Sequence, residues 1–174
     1  MPDKNQPEES KSLIQAFERM IERVKEVVGE TEQDLKPRIS YAFQQAREKA
    51  VELGELTKEE AERISGYLMR DLHNAAEFLE KNEMEFADWL HFEVDLIEDS
   101  LLDSVPVLID ETRLALEQLS REAELYGEWH TGEITLPGTL QCTACSKDVH
   151  FHKSGHIPPC ANCQATVFKR VSRQ

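Results

Sequence analysis

The chain has 174 residues, 40% hydrophobic and 31% charged, with seven glycines, seven prolines and a formal net charge of −14. This composition excludes collagen-like and low-complexity chains and disfavours a turn-rich β-sandwich. So acidic a surface repels nucleic-acid phosphates and anionic lipid, which argues against a DNA-coating or membrane-surface role.

The opening residues, MPDKNQPEESKS, contain no apolar run of the kind a secretory signal needs. No stretch of about 18 uncharged apolar residues occurs anywhere, so no membrane span is expected. A cytoplasmic location follows as the expectation. In a reducing compartment, paired cysteines read better as metal ligands than as disulfides.

In chain order, Leu13, Phe17, Met20, Ile21, Val24 and Val28 recur at helical spacing and end near Gly29. A second helix is predicted from Leu35, Ile39, Phe43, Ala46, Ala50 and Leu53, closed by Gly54 where a left-handed cap favours a residue without Cβ. Thr57-Lys-Glu-Glu60 has capping-box form and opens a third helix carrying Ala61, Ile64, Leu68, Leu72, Ala75 and Leu79. Phe86, Leu90, Val94, Ile97 and Leu101 either extend that helix or form a fourth. Pro106 suits the first turn of a last helix, with Leu108, Ile109, Leu116, Leu119 and Ala123, ending at Gly127. The apolar stripes read as narrow and the charged faces as broad. The predicted fold is therefore mainly α: an elongated antiparallel helical bundle or coiled-coil hairpins, followed by a small β zinc ribbon.

Composition changes at Gly127. Residues 1–127 hold 15 Lys and Arg against 31 Asp and Glu, a net −16, whereas residues 128–174 hold 5 against 3, a net +2. All four cysteines lie in the second part. Residues 1–10 are read as a disordered tail, 11–127 as an acidic helical domain and 128–174 as a C-terminal four-cysteine zinc ribbon. Strands are predicted at 133–136, followed by a Pro137-Gly138 turn and Thr139-Leu-Gln leading into Cys142, at 149–152 and at 166–171. Fewer than 50 residues with so few apolar groups cannot build an independent core and need a staple.

The staple is Cys142-Thr-Ala-Cys145, then 14 residues, then Cys160-Ala-Asn-Cys163. Each pair forms a tight turn that aims two thiolates at one point, and two such turns make a tetrahedral site suited to one structural zinc. A rubredoxin-like iron site uses similar ligands. Four thiolates close the coordination sphere, so the metal folds the tail and performs no chemistry. Structural zinc contributes on the order of 10–16 kcal/mol to such peptides. Ser146 and Gln164 stand where glycine is common after these turns, and their turns are expected to be less relaxed. His130, His150, His152 and His156 invite a second metal site but lack a carboxylate beyond Asp148, and they read better as surface residues. No nucleophile elbow, phosphate-binding loop, dinucleotide fingerprint or HExxH helix occurs, so no enzyme is expected.

Gly54-Glu-Leu-Thr57 before a helix, His130-Thr-Gly-Glu133, the two CxxC pairs and Phe168 beyond them together resemble the YbeL-like family of bacterial zinc-ribbon-containing proteins. The resemblance runs over roughly residues 35–171 and is strongest over 126–170. It implies a cytoplasmic bacterial protein with a helical N-terminal region and a C-terminal zinc ribbon, and it brings no activity with it. The expected function is that of a non-enzymatic adaptor or regulator binding a macromolecular partner, with the transcription and translation machinery as candidates. Such a partner is a protein in preference to a nucleic acid, and neither a membrane nor a small-molecule substrate is implied. Lys147, Lys153, Lys169 and Arg170 form the expected partner surface. The alternative is a redox-responsive protein whose four-cysteine site releases zinc on oxidation.

Overall fold

A computed structural model describes residues 6–29, 39–81, 109 and 126–171. Among these residues the chain forms helices α1 (Gln6–Gly29), α2 (Ile39–Glu52) and α3 (Lys58–Lys81). Strands β1 (Trp129–His130), β2 (Ile134–Thr135), β3 (Gly138–Cys142), β4 (Asp148–Phe151), β5 (Gly155–His156) and β6 (Val167–Val171) follow. The expected helical stripe at 86–101 and all of the expected last helix except Ile109 lie outside the described residues, as does Leu35. No helix among the described residues is long and apolar enough to cross a membrane.

Local signals in the sequence produce the α2–α3 junction. Gly54 has φ +67°, and the Gly54 and Glu55 amides donate to the Val51 and Ala50 carbonyls at 3.0 Å each, a Schellman closure. The Glu60 amide donates to Thr57 Oγ1 at 3.2 Å, and the Thr57 amide donates to Glu60 Oε2 at 2.8 Å. The capping box thus satisfies two donors that the helix cannot, and the Thr57 amide, then its hydroxyl, holds the Glu60 carboxyl below its ordinary range. Leu56 before the cap and Ala61 in the first turn are both buried, as in a hydrophobic staple. Leu53, expected on the buried stripe, is instead 54% exposed, because the Schellman turn ends the helix before it.

The elongated bundle or coiled-coil hairpin is not what forms. Three helices pack with one another and against the small β2–β5 sheet, and Ile134 and Leu136 from the β region enter the helical core. The physical reason lies in α3. Its buried residues are Ala61, Ile64, Ser65, Leu68, Met69, Arg70, Asp71, Leu72, Ala76 and Leu79, a face far wider than a coiled-coil seam. Ser65, Arg70 and Asp71 widen that face without adding to the apolar stripe. α2 presents mainly small residues, Ala42, Ala46 and Ala50, around Ile39 and Phe43, and has only 14 residues. Residues 6–10, read as part of a disordered tail, are helical and belong to α1.

An ion pair and a hydrogen bond brace the three helices near the C-terminal end of α2. Arg23 on α1 reaches Glu55 through both nitrogens, at 2.8 and 2.7 Å, and Arg47 on α2 donates to Ser65 on α3 at 3.0 Å. The Arg23 hydrogen bond holds the Glu55 carboxyl below its usual range.

The strands form a four-stranded antiparallel sheet, β1-β6-β3-β4, and the separate β2–β5 pair. The predicted strands at 149–152 and 166–171 are recovered within a residue as β4 and β6, whereas 133–136 shortens to the two residues of β2. Leu140 sits opposite Val149 on one side and Arg170 on the other. Trp129, Leu140, Cys142, Ile157, Cys160 and Phe168 make a second, small core.

Where the chain enters this region, the Tyr126 ring lies against Gly66 of α3, and its hydroxyl donates to the Glu62 carbonyl at 3.2 Å. A Cβ on Gly66 would stand 1.8 Å from that ring. Helix propensity alone predicts that Gly66→Ala stabilises α3 by about 1 kcal/mol. The packing predicts the opposite, a loss of about 1–3 kcal/mol, which Tyr126→Ala in the same chain should relieve. Urea unfolding of the two single variants and the double variant measures the sign and the coupling.

Candidate metal centre

The two CxxC turns are copies of one another. The Ser146 amide donates to the Cys142 carbonyl at 2.9 Å, and the Gln164 amide donates to the Cys160 carbonyl at 2.8 Å. In return, the Cys142 and Cys160 amides donate to the Lys147 and Ala165 carbonyls at 2.9 Å each. The Lys147 and Ala165 amides then point at the second sulfur of each turn, Cys145 and Cys163. This geometry requires a left-handed residue just after each second cysteine. Ser146 at φ 58° and Gln164 at φ 61° supply it without being glycine.

β3 delivers Cys142 from the centre of the sheet, and the chain after β5 returns Cys160 beside it. All four sulfurs lie within 4.8 Å of one another. Cys142 and Cys163 are 3.6 Å apart and Cys145 and Cys160 are 3.5 Å apart. Sulfurs 2.3 Å from one zinc stand about 3.8 Å apart at the corners of a tetrahedron, so the cluster has the size and donor set that zinc requires. The four cysteines form the site of one structural zinc in a zinc ribbon. Cys142 and Cys160 are buried and Cys163 is exposed.

The thiols differ in acidity. A hydrogen bond from the Asn162 side chain, reinforced by the Lys147 amide, draws Cys145 down to about 6. The Ala165 amide favours the Cys163 thiolate, but the competing Cys145 sulfur and burial push that thiol up to about 12. Metal must displace the retained protons, so zinc affinity rises with pH.

The histidines do not assemble a second site. His150 shares a hydrogen bond of 2.9 Å with Thr139, His156 Nδ1 lies 2.9 Å from the Gly132 carbonyl, and His130 lies 3.6 Å from Glu133. Among the described residues no other group of three or more His, Cys, Asp or Glu side chains converges. A groove of about 530 Å³ between α2 and α3, bordered by Arg47, Glu48, Val51, Lys58 and Glu62, contains no cysteine or histidine.

The expected basic surface divides in two. Lys147, Lys153 and Lys169 are exposed. Arg170 is not available to a partner, and its assignment there is corrected: its side chain is 8% exposed and faces the helices. Successive strand residues point to opposite sides, so Lys169, paired with Gln141, faces outward while Arg170, paired with Leu140, faces inward. Its guanidinium donates to the Pro137 and Leu136 carbonyls at 2.9 and 3.1 Å and to Thr135 Oγ1 at 2.6 Å, and stands 3.2 Å from Asp71 Oδ2.

Asp71 of α3, with no exposed surface, is the residue the sequence reading passed over. Its carboxylate accepts from Trp129 Nε1 at 2.7 Å, Thr135 Oγ1 at 2.8 Å and the Leu136 amide at 2.6 Å, besides Arg170. Neighbouring Arg70 lies 4.5 Å from the Trp129 ring centroid and donates to Glu133 Oε2 at 2.6 Å. Glu133 of the His-Thr-Gly-Glu stretch therefore serves the interface, accepting also from the His130 amide at 3.0 Å. One signal could have found this cluster: Asp71 falls three residues after Leu68 and seven after Ile64, on the apolar face.

A family model described as a zinc-ribbon containing domain matches residues 8–172, and the chain belongs to that family. It is 27% identical over 162 residues to the uncharacterized protein YbeL of Escherichia coli strain K12, covering 91% of this chain and 95% of that one. YbeL of Escherichia coli O157:H7 matches to the same extent. No solved structure matches.

A Cys142→Ser, Cys163→Ser double variant should lose zinc, read by metal analysis of purified protein, whereas wild type should hold one ion per chain. A left-handed non-glycine residue costs about 1–2 kcal/mol, partly offset by the greater unfolded-state entropy of glycine. Ser146→Gly and Gln164→Gly should therefore each raise the unfolding free energy of the zinc-loaded protein by about 0.5–1 kcal/mol, measured by denaturant titration.

Proposed function

We propose that this member of the zinc-ribbon-containing family is a non-enzymatic adaptor or regulator that docks a macromolecular partner on the outward face of its ribbon sheet. The observation that carries the reading is the division of the sheet. Its inner face is committed to the helices through Arg170 and Trp129, while the outward Lys169 and the turn residues Lys147 and Lys153 stay exposed. A closed thiolate site leaves no position for a reacting water, which supports a non-enzymatic role. Three exposed lysines beside a helical part of net charge −16 make a poor match for a polyphosphate backbone and a better one for a local acidic patch on a protein.

The test is cross-linking of the zinc-loaded protein to partners in bacterial lysate, with the cross-linked residues mapped. Cross-links are expected on the outward ribbon face. Lys147→Gln, Lys153→Gln, Lys169→Gln, with zinc retained, should reduce capture at least tenfold. Undiminished capture, or cross-links confined to α1 and α2, would refute the surface. A single-stranded RNA titration separates the partner classes: binding through three lysines should be weak, with a log–log salt slope of about −2.

The exposure of residue Cys163 at the site's edge favours a second reading, a redox-responsive zinc protein. Two thiolates, one hydrogen peroxide and two protons give a disulfide and two waters, and the metal loses two ligands. Peroxide-driven zinc release that tracks loss of partner capture would select this reading.

A further inference from the structure

We infer that the buried Asp71 cluster makes zinc occupancy of the ribbon and packing of α3 a single equilibrium, so that the helical body registers whether the metal is bound. This does not depend on the adaptor reading. Three features of the structure support it.

The first is where the partners of Asp71 come from. Trp129 belongs to β1, Thr135 and Leu136 to β2 and its end, and Arg170 to β6. β6 is held in register by Phe168, which lies opposite Cys142 on one side and Trp129 on the other. β1 and β6 are thus ordered through a metal ligand, and β2 pairs with β5, which leads into Cys160.

The second is how little else orders them. Two of the six fully buried members of the ribbon core, Cys142 and Cys160, are themselves zinc ligands. Without metal the thiols are polar groups needing partners, and the remaining apolar cluster is too small to hold the strands.

The third is what the loss of order would leave behind. Asp71 has no exposed surface and Arg70 is 3% exposed. Arg70 Nη2 has no hydrogen-bond partner, Nη1 donates to ribbon acceptors, Glu133 Oε2 at 2.6 Å and the Glu128 carbonyl at 3.1 Å, and the guanidinium lies 4.5 and 5.5 Å from the Trp129 and Tyr67 ring centroids. If the strands leave, Asp71 loses its four ribbon donors and Arg70 loses Glu133, the Glu128 carbonyl and the Trp129 ring, and the 3.4 Å contact between Arg70 Nε and Asp71 alone does not satisfy the two buried groups beside Leu68 and Leu72. α3 must then loosen to hydrate them. Ile134 and Leu136 withdraw from the helical core in the same step.

Coupling of this kind is reciprocal, so weakening the Asp71 cluster must weaken zinc binding although none of its residues touches the metal. The full chain is used throughout. Amide hydrogen exchange of wild type is compared with and without zinc, removed by chelator, over residues 64–72. Exchange there is expected to accelerate at least tenfold in the zinc-free protein. Zinc affinity is measured by competition with a chromophoric chelator in Arg170→Gln and Asp71→Asn. The expected loss is about 5- to 150-fold, the range of coupled sites, with Arg170→Lys intermediate. In a Trp89→Phe background, Trp129 emission should shift to the red as zinc is removed. Unchanged exchange in α3 on zinc removal overturns the inference, and so does wild-type zinc affinity in a folded Arg170→Gln protein. The exchange comparison needs no variant and decides the matter even if the substitutions prevent folding.

Discussion

A carboxylate buried on the apolar face of a helix has to be met by donors from elsewhere in the chain. Asp71 is met by an indole, a hydroxyl, a backbone amide and a guanidinium, contributed by segments 58 to 99 residues further along. Truncating one partner of a buried charged pair typically costs about 3–5 kcal/mol, chiefly because the other charge is stranded. Such a cluster adds little net stability over an apolar core of equal volume, but it tolerates few alternative dockings. It sets the one face of the ribbon that meets α3 and leaves the opposite face to solvent.

The ribbon has two supports of different kind. The four thiols converge through two identical turns that accept left-handed strain at Ser146 and Gln164. The second support is the docking of Ile134 and Leu136 in the helical core. The change of composition at Gly127 suggested an acidic helical domain followed by a zinc ribbon stapled by its metal. The shared core and the Asp71 cluster argue instead for parts that stabilise one another.

The charge asymmetry takes on a different meaning in three dimensions. The ribbon is basic on paper, yet one of its cations neutralises a helical acid and another helical cation, Arg70, answers the ribbon's Glu133. Among the described residues, what remains facing outward is a modest set of lysines. That pattern supports local recognition of a partner surface over long-range attraction to a nucleic acid.

Local chemistry was legible in the sequence. The Schellman closure at Gly54, the capping box at Thr57 and the two CxxC turns depend on neighbours within six residues, so the chain specifies them before any tertiary contact forms. The zinc ligands were legible for the same reason, since spacing alone places two sulfurs on one turn. What periodicity could not supply is what an apolar face packs against. The apolar stripes read as narrow because periodicity counts only apolar residues, and the buried Ser65, Arg70 and Asp71 of α3 do not register in it. Arg170 was assigned to a partner surface by its charge. Each reading failed because burial of a charged side chain depends on partners distant in sequence, and only the packed structure brings Asp71 and Arg170 to the same point.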